Sequence, residues 1–181
     1  MNEISDRGGR VAKGCVLNLG SGELYEPGAV NVDFYADQAD LRHDLNVFPY
    51  PFEDDTFEEI KCLNIIEHLD DVIGAMCEIH RIGKNGGIVT IRVPHFRSAC
   101  LYEDLTHKHG FAWRSFDIFS NSGSVYGNYV GVKFDIVSRS YTPYKFKPLY
   151  DFLSKMPVLT DNLLSKYVPM ASIMFVFRII K

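Results

Sequence analysis

The sequence predicts an α/β fold built on a doubly wound, mostly parallel sheet. Three observations carry that expectation. Short apolar or β-branched runs recur and end on glycine, aspartate or proline. A segment of helical spacing, Val72 to Ile82, stands between two such runs. Two further strand-like runs, Val132 to Arg139 and Ser172 to Ile180, follow an aromatic-rich stretch. Strand, helix, strand in that order implies a right-handed parallel crossover, and alternation of the two element types implies α/β layering.

The elements follow in order. Residues 1–13 are polar and Gly-containing and read as a loose arm. Cys15 to Leu19 is a short apolar run closed by Gly20-Ser21-Gly22, which reads as a buried strand. Ala29 to Asp33 is a second strand ending on an acid, and Asp40 to Leu45 a short third. Pro49 and Pro51 cannot continue a ladder because proline lacks the N–H donor. Phe57 to Ile65 is the fourth strand. Asp70 or Asp71 offers an N-cap for the helix, and Gly83 closes it. Asn85-Gly86-Gly87 reads as a turn, and Ile88 to Val93 as a strand stopped by Pro94. Helices are expected near Trp113 to Phe119 and over Lys155 to Tyr167.

Composition narrows the function. Apolar residues make up 46% and charged residues 23%, which excludes a disordered or fibrous chain. No apolar run of about 20 residues exists, so no membrane span is expected. The opening residues lack the apolar core of a secretory signal. Cys15, Cys62, Cys77 and Cys100 are widely spaced without a CxxC, which suits a reduced, cytoplasmic setting. The net charge of −4 hides an asymmetry: residues 1–90 carry 7 basic and 17 acidic residues, residues 91–181 carry 12 and 6. Intact nucleic acid is disfavoured as a partner by this balance.

In open α/β sheets ligands bind beyond the carboxyl ends of the strands. Three successive ends carry Asn18-Leu19-Gly20-Ser21-Gly22, then Asp33, then Asp44-Leu45. Glycines let the backbone approach a ligand closely. Asp33 can accept both hydroxyls of a ribose, and Asp44 can face an adenine amino group while Leu45 packs the ring. Each feature alone is more simply a turn glycine or a solvated acid; the succession is what points to a nucleoside. A dinucleotide fingerprint would need a third glycine where Tyr25 stands and an acid about 20 residues on. Asp33 follows Gly22 by only 33 − 22 = 11 residues, too few for a full helix between them. A nucleoside without phosphates, such as S-adenosylmethionine (SAM), fits better.

With those residues in place, the chain resembles the class I SAM-dependent methyltransferases, of the small-molecule, type 11-like branch. The resemblance rests on VLNLGSG, VNVD, HDLNVFPYPFEDDTFEEIKCLNIIEHLDD, EIHRIGKNGG and IVTIRVP, and more loosely on EDLTHKHGF. It implies one Rossmann-like domain over residues 1–181, with a seven-stranded sheet, an antiparallel closing strand, and an acceptor or lid region at 95–152. It implies SAM as cofactor, bordered by Asn18, Gly20, Ser21, Gly22, Asp33, Asp44, Leu45, Ile65 and Ile66. The family often carries an acid where this chain has Asn18, and the short segment after Gly22 implies a reduced or absent first helix.

Methyl transfer requires acceptor and methyl held in line about 3–3.5 Å apart with water excluded. A base helps when the acceptor is a hydroxyl or protonated amine. His68, His95 and His107 are the candidate catalytic residues, because histidine titrates near neutrality. A satisfied structural imidazole is the competing reading for each. His43 and His80 read as structural. Asp104, His107 and His109 have metal-like content, but Lys108 stands among them, and a lid or pocket wall is the favoured reading. Residues 95–152 hold 14 of the chain's 24 aromatics. Phe116 and Phe119 have core spacing, while Tyr126, Tyr129, Tyr141 and Tyr144 read as loop aromatics of an acceptor pocket. No Asn/Asp-Pro-Pro-aromatic turn and no Pro-Cys pair is present, which disfavours methylation of DNA bases. The expected acceptor is a small molecule methylated on oxygen or nitrogen. Basic residues such as Arg92, Arg97 and Lys108 suggest an anionic one, with Arg97 the first candidate to meet it. Two other readings stand beside this one: a non-catalytic methyltransferase-like partner module, and a Rossmann-type nucleotide or NAD enzyme.

Overall fold

A computed structural model describes residues 16–120, 130–142, 147–168 and 170–181. The arm at 1–13, Cys15, Tyr126, Tyr129 and Tyr144 lie outside the described residues.

The strands are β1 (Val16–Leu19), β2 (Ala29–Asp33), β3 (Leu41–Arg42), β4 (Phe57–Leu63), β5 (Gly83–Pro94), β6 (Lys133–Thr142) and β7 (Ser172–Ile180). They form one sheet in the order β3-β2-β1-β4-β5-β7-β6. Strands β1 to β5 pair in parallel, and β7 runs antiparallel to both β5 and β6. The seven-stranded, mostly parallel sheet with its antiparallel closing strand is the Rossmann-like architecture expected. Strand order reverses direction between β1 and β4, so right-handed crossovers on either side must cover opposite faces.

One face is the apolar core. The register puts Leu17, Leu19, Ile60, Cys62, Val89, Ile91, Phe175 and Phe177 on it, each fully or almost fully buried. Helix α1 (Val72–Ile82) covers it with Ala75, Met76, Ile79 and Ile82. Asp71 caps α1 by accepting the Gly74 N–H at 2.8 Å. Helices α2 (Cys100–Glu103), α3 (Lys147–Leu153) and α4 (Pro157–Asn162) follow. Phe116 packs edge-on against Phe175 and Phe177 on the same face.

The opposite face carries Asn18, Asn31, Glu59 and Lys61, by the same register. No helix joins β1 to β2, in line with the short spacing after Gly22. A loop makes that crossover, and side chains on the sheet satisfy its backbone. Asn18 Nδ2 donates to Leu24 O at 2.8 Å. Asn31 Nδ2 donates to Glu26 O at 3.0 Å, and Asn31 Oδ1 accepts from Glu26 N at 2.9 Å. Lys61 pairs with Glu26 at 2.5 Å.

Several elements differ from expectation. The third strand contracts to two residues, so Asp44 and Leu45 lie in the turn beyond it. Asn85 to Gly87 does not end a strand: β5 runs through as an irregular bulge, with Gly83 paired to Phe57 and Ile88 to Glu59. Only the 3-10 turn Asp117–Phe119 forms where a helix was expected from Trp113, because Trp113 N–H and Asp117 are engaged by distant partners, Asp161 and Arg139. The Lys155–Tyr167 helix divides into α4, opened by Pro157, and the turn Leu164–Lys166. Tyr141 is a core residue at 3% exposure, not a loop aromatic. Among the described residues, no helix is long and apolar enough to cross a membrane.

Candidate functional site

A cleft of about 620 Å³ opens at the carboxyl ends of β1, β2, β3 and β4, where the strand order reverses. Gly20 and Gly22 form its floor after β1. Asp33, Phe34 and Tyr35 come from the end of β2, and His43, Asp44, Leu45 and Asn46 from the turn after β3. Asn64, Ile65, His68 and Leu69 follow β4, and Leu105, Thr106 and Lys108 close the far wall.

Gly20 has φ +65°, and a Cβ there would stand 2.3 Å from Ile65 Cγ1. Glycine is therefore required both by the backbone and by the apposed isoleucine. Gly22 has φ +47° with nothing within 4 Å of its would-be Cβ. Between them Ser21 Oγ is buried and has no hydrogen-bond partner.

Asp33 is fixed by backbone donors. Its Oδ2 accepts from Gly22 N at 2.8 Å, and its Oδ1 from Tyr35 N at 2.8 Å and Ala36 N at 2.9 Å. Partial burial disfavours the charge, but these N–H groups outweigh it and hold the carboxyl below the usual range. Oδ2, with one bond, keeps capacity for a ligand hydroxyl. Asp44 Oδ1 accepts from Asn46 N at 2.9 Å, and Leu45 is 6% exposed.

At the other end of the cleft, the turn Ile66–His68 meets the segment 104–109. Glu67 O accepts from Lys108 N at 2.8 Å, His109 Nε2 donates to Leu69 O at 2.9 Å, and Lys108 pairs with Asp70 at 2.7 Å. This clamp sets the His68 and His107 rings 4.6 Å apart. His107 Nε2 lies 4.0 Å from Glu67 Oε1. Burial pushes the Glu67 carboxyl up to about 7, the Asp104 charge adds to this, and Arg92 opposes it. Burial and the neighbouring His107 hold His68 below its ordinary value. Glu67 and His107 line a second cavity of about 240 Å³, with Asn64, Arg92, Pro94 and Ser172 among its walls. Asn64 lines both cavities, so they adjoin.

Of the residues expected from sequence, Gly20, Gly22, Asp33, Asp44, Leu45, Ile65 and His68 meet at the cleft. Asn18, Ser21 and Ile66 do not line it. Asn18 is 2% exposed and braces the crossover loop, and Ile66 is a core residue at 1%. His95 stands apart from both cavities: it is fully buried, with Nε2 3.2 Å from Asp161 Oδ1 and Nδ1 accepting from Arg97 N at 3.1 Å. Both ring nitrogens are thus occupied by neighbours within the fold. Arg97 is exposed over the Phe96 ring and lines neither cavity; Arg92 lines the smaller one. His109 is tied to Leu69 O and stands outside the His68–His107 cluster. The residues that sequence reasoning missed are Phe34, Tyr35, Asn64, Thr106 and above all Glu67. Its signal was an acid beside His68 in the turn after β4.

Comparison with known proteins agrees with this architecture. Residues 29–91 match the family model described as a methyltransferase domain. An uncharacterised methyltransferase of Schizosaccharomyces pombe is 33% identical over 57 residues, which is 32% of this chain. The match spans about a fifth (20%) of that relative's length. A SAM-dependent methyltransferase structure from Archaeoglobus fulgidus is 15% identical, with a TM-score of 0.58 over 92% of this chain and 87% of that one. A structure from Thermotoga maritima, described as a SAM-dependent methyltransferase and possible histamine N-methyltransferase, is 14% identical. It gives a TM-score of 0.57 over 94% of this chain and 83% of that one. The fold is thus that of the Rossmann-like methyltransferases. More particularly, its 29–91 segment, about a third of the chain, is similar to a methyltransferase domain.

Proposed function

We propose that the cleft binds SAM and that the chain, as one domain over residues 1–181, transfers a methyl group to an oxygen or nitrogen of a small cytoplasmic acceptor. The observation that carries this reading is the convergence of Gly20, Gly22, Asp33, Asp44 and Leu45 from three successive strand ends on one cleft. Its volume suits a ligand of nucleoside size. The open space over Gly22 suits a polar group lying close to the glycine loop.

In this reading Gly20 and Gly22 border the methionine moiety, Asp33 Oδ2 accepts from the ribose, and Asp44 and Leu45 hold the adenine. Ile65 packs beside the cofactor. When bound, SAM supplies an electrophilic methyl on a sulfonium. The chain's part is to orient it, exclude water and present the acceptor. The acceptor side is the corner where His68, after β4, meets His107 of the region 95–152 expected to form the lid. An anionic acceptor would meet Arg92, in place of the Arg97 expected from sequence. The Thermotoga protein's description supports a small amine as one acceptor class.

Thermal denaturation tests the reading. SAM or S-adenosylhomocysteine should raise the melting temperature by mass action, and NAD should not. A shift with NAD and none with SAM would overturn it.

A further inference from the structure

We propose that Glu67, His68 and His107 form a binding site for one divalent transition-metal ion at the acceptor end of the cleft. Their ligand atoms all lie within 4.8 Å of one another. Zinc binds imidazole nitrogen at about 2.0–2.1 Å and carboxylate oxygen at about 2.0–2.2 Å, so two ligands stand about 3.4 Å apart around a tetrahedral ion. Small side-chain movements close the observed set to that spacing.

The hydrogen bonds around the cluster prepare it for a cation. Thr106 Oγ1 donates its single proton to Asp104 Oδ1 at 2.7 Å. Toward His68 Nδ1, at 2.9 Å, it therefore accepts, and the proton stands on Nδ1. His107 Nδ1 lies 3.2 Å from Leu101 O, a carbonyl that can only accept. Both rings thus carry hydrogen on Nδ1 and leave Nε2 bare. Metal-ligating histidines are oriented in this way, by giving the other N–H to a carbonyl, carboxylate or polar neighbour. Glu67 is 1% exposed, and its Oε2 is buried with no partner. Arg92 lines the same cavity but turns its Nε to Asn64 Oδ1 at 2.9 Å, leaving Oε2 unmatched. One buried carboxylate and two imidazoles thus stand together, the donor set of a divalent ion.

Two histidines and one carboxylate suit Zn²⁺, Fe²⁺, Co²⁺ or Mn²⁺ better than Mg²⁺ or Ca²⁺, which prefer oxygen alone. Three protein ligands leave coordination positions open, as in catalytic sites. His68 lines the large cleft while Glu67 and His107 line the small cavity, so an open position faces their junction. The acceptor class this favours is one that offers an oxygen ligand, such as a hydroxyl, to the ion. That last clause rests on the methyltransferase reading; the ion site does not.

The test uses the full chain, stripped with a chelator, then titrated with Co²⁺ and separately dialysed against Zn²⁺. One equivalent per chain should be retained, with visible Co²⁺ absorption of a low-coordinate nitrogen and oxygen site. Excess Mg²⁺ should not displace it. Glu67→Gln keeps the shape of a buried side chain and removes only its charge, so its fold should survive; it should weaken binding at least tenfold, as should His107→Gln. His43→Gln should leave binding unchanged. Retention below a tenth of an equivalent, or binding unaffected by both Glu67→Gln and His107→Gln, overturns the proposal. SAM titration of the stripped protein separates the two readings: SAM binding without metal binding removes only the ion site, and metal binding without SAM binding removes only the cofactor.

Discussion

Asp33 does two jobs, and only one can be read in the sequence. Its place at the end of an AVNVD run motivates the proposed one, accepting from a ribose. Its second task, holding the N–H groups of Gly22, Tyr35 and Ala36, depends on how two loops fold back and has no sequence signature. Asp33→Ala should therefore weaken SAM binding by about 1.5–3 kcal/mol, the range for hydrogen bonds to charged groups. It should also lower the melting temperature, because the glycine loop loses its anchor. Isothermal titration and thermal denaturation on one sample check both effects, and unchanged affinity would move the ribose contact elsewhere. His95 shows the opposite limit. A histidine after a strand-ending proline looks catalytic in one dimension, and the sequence does not reveal the approach of Asp161, 66 residues away, which the structure places on its ring.

At the scale of elements, α1 was legible because its signals are local: Asp71 as N-cap and apolar residues at helical spacing. The region after Phe111 was not, because its conformation is set by long-range bonds. Asp161 on α4 gathers His95 Nε2, Trp113 N and the Tyr141 hydroxyl at 3.2, 2.9 and 2.6 Å, tying the end of β5 to β6 and α4. Burial disfavours its charge, but these donors outweigh burial and hold the carboxyl below its ordinary value. A carboxyl depressed in the folded state contributes stability that is full above the unfolded value, about 3.9, and is lost as pH falls through the folded one. Asp161→Asn should thus cost about 1–3 kcal/mol at neutral pH. Urea denaturation should show the gap between wild type and variant shrinking as pH falls below about 4. A gap that stays constant to pH 2 would contradict this role.

For the molecule as a whole, the mostly parallel sheet was legible because strand-like runs and their terminators are frequent and clear, while its antiparallel closing strand came from the family resemblance and its strand order from the structure. What replaces the first helix was not legible. Asn18 stands out in the sequence as a neutral residue where the family it resembles often has an acid. In the structure it donates to Leu24 O and Asn31 Oδ1 and so carries a helix-free crossover. Asn18→Asp would set a carboxylate against two acceptors in a site 2% exposed. It should destabilise the fold by about 1–3 kcal/mol, read from chemical denaturation, and should not improve SAM binding. Strand β7 has a different consequence. It lies between β5 and β6, yet is made after both. While the chain is being synthesised, β5 presents an unpaired edge until residues 172–180 have emerged, and such edges invite pairing with other chains. The β1–β5 half, joined by short connections, can assemble early. The growing protein therefore passes through a half-built sheet whose safety depends on how fast its final neighbour is delivered.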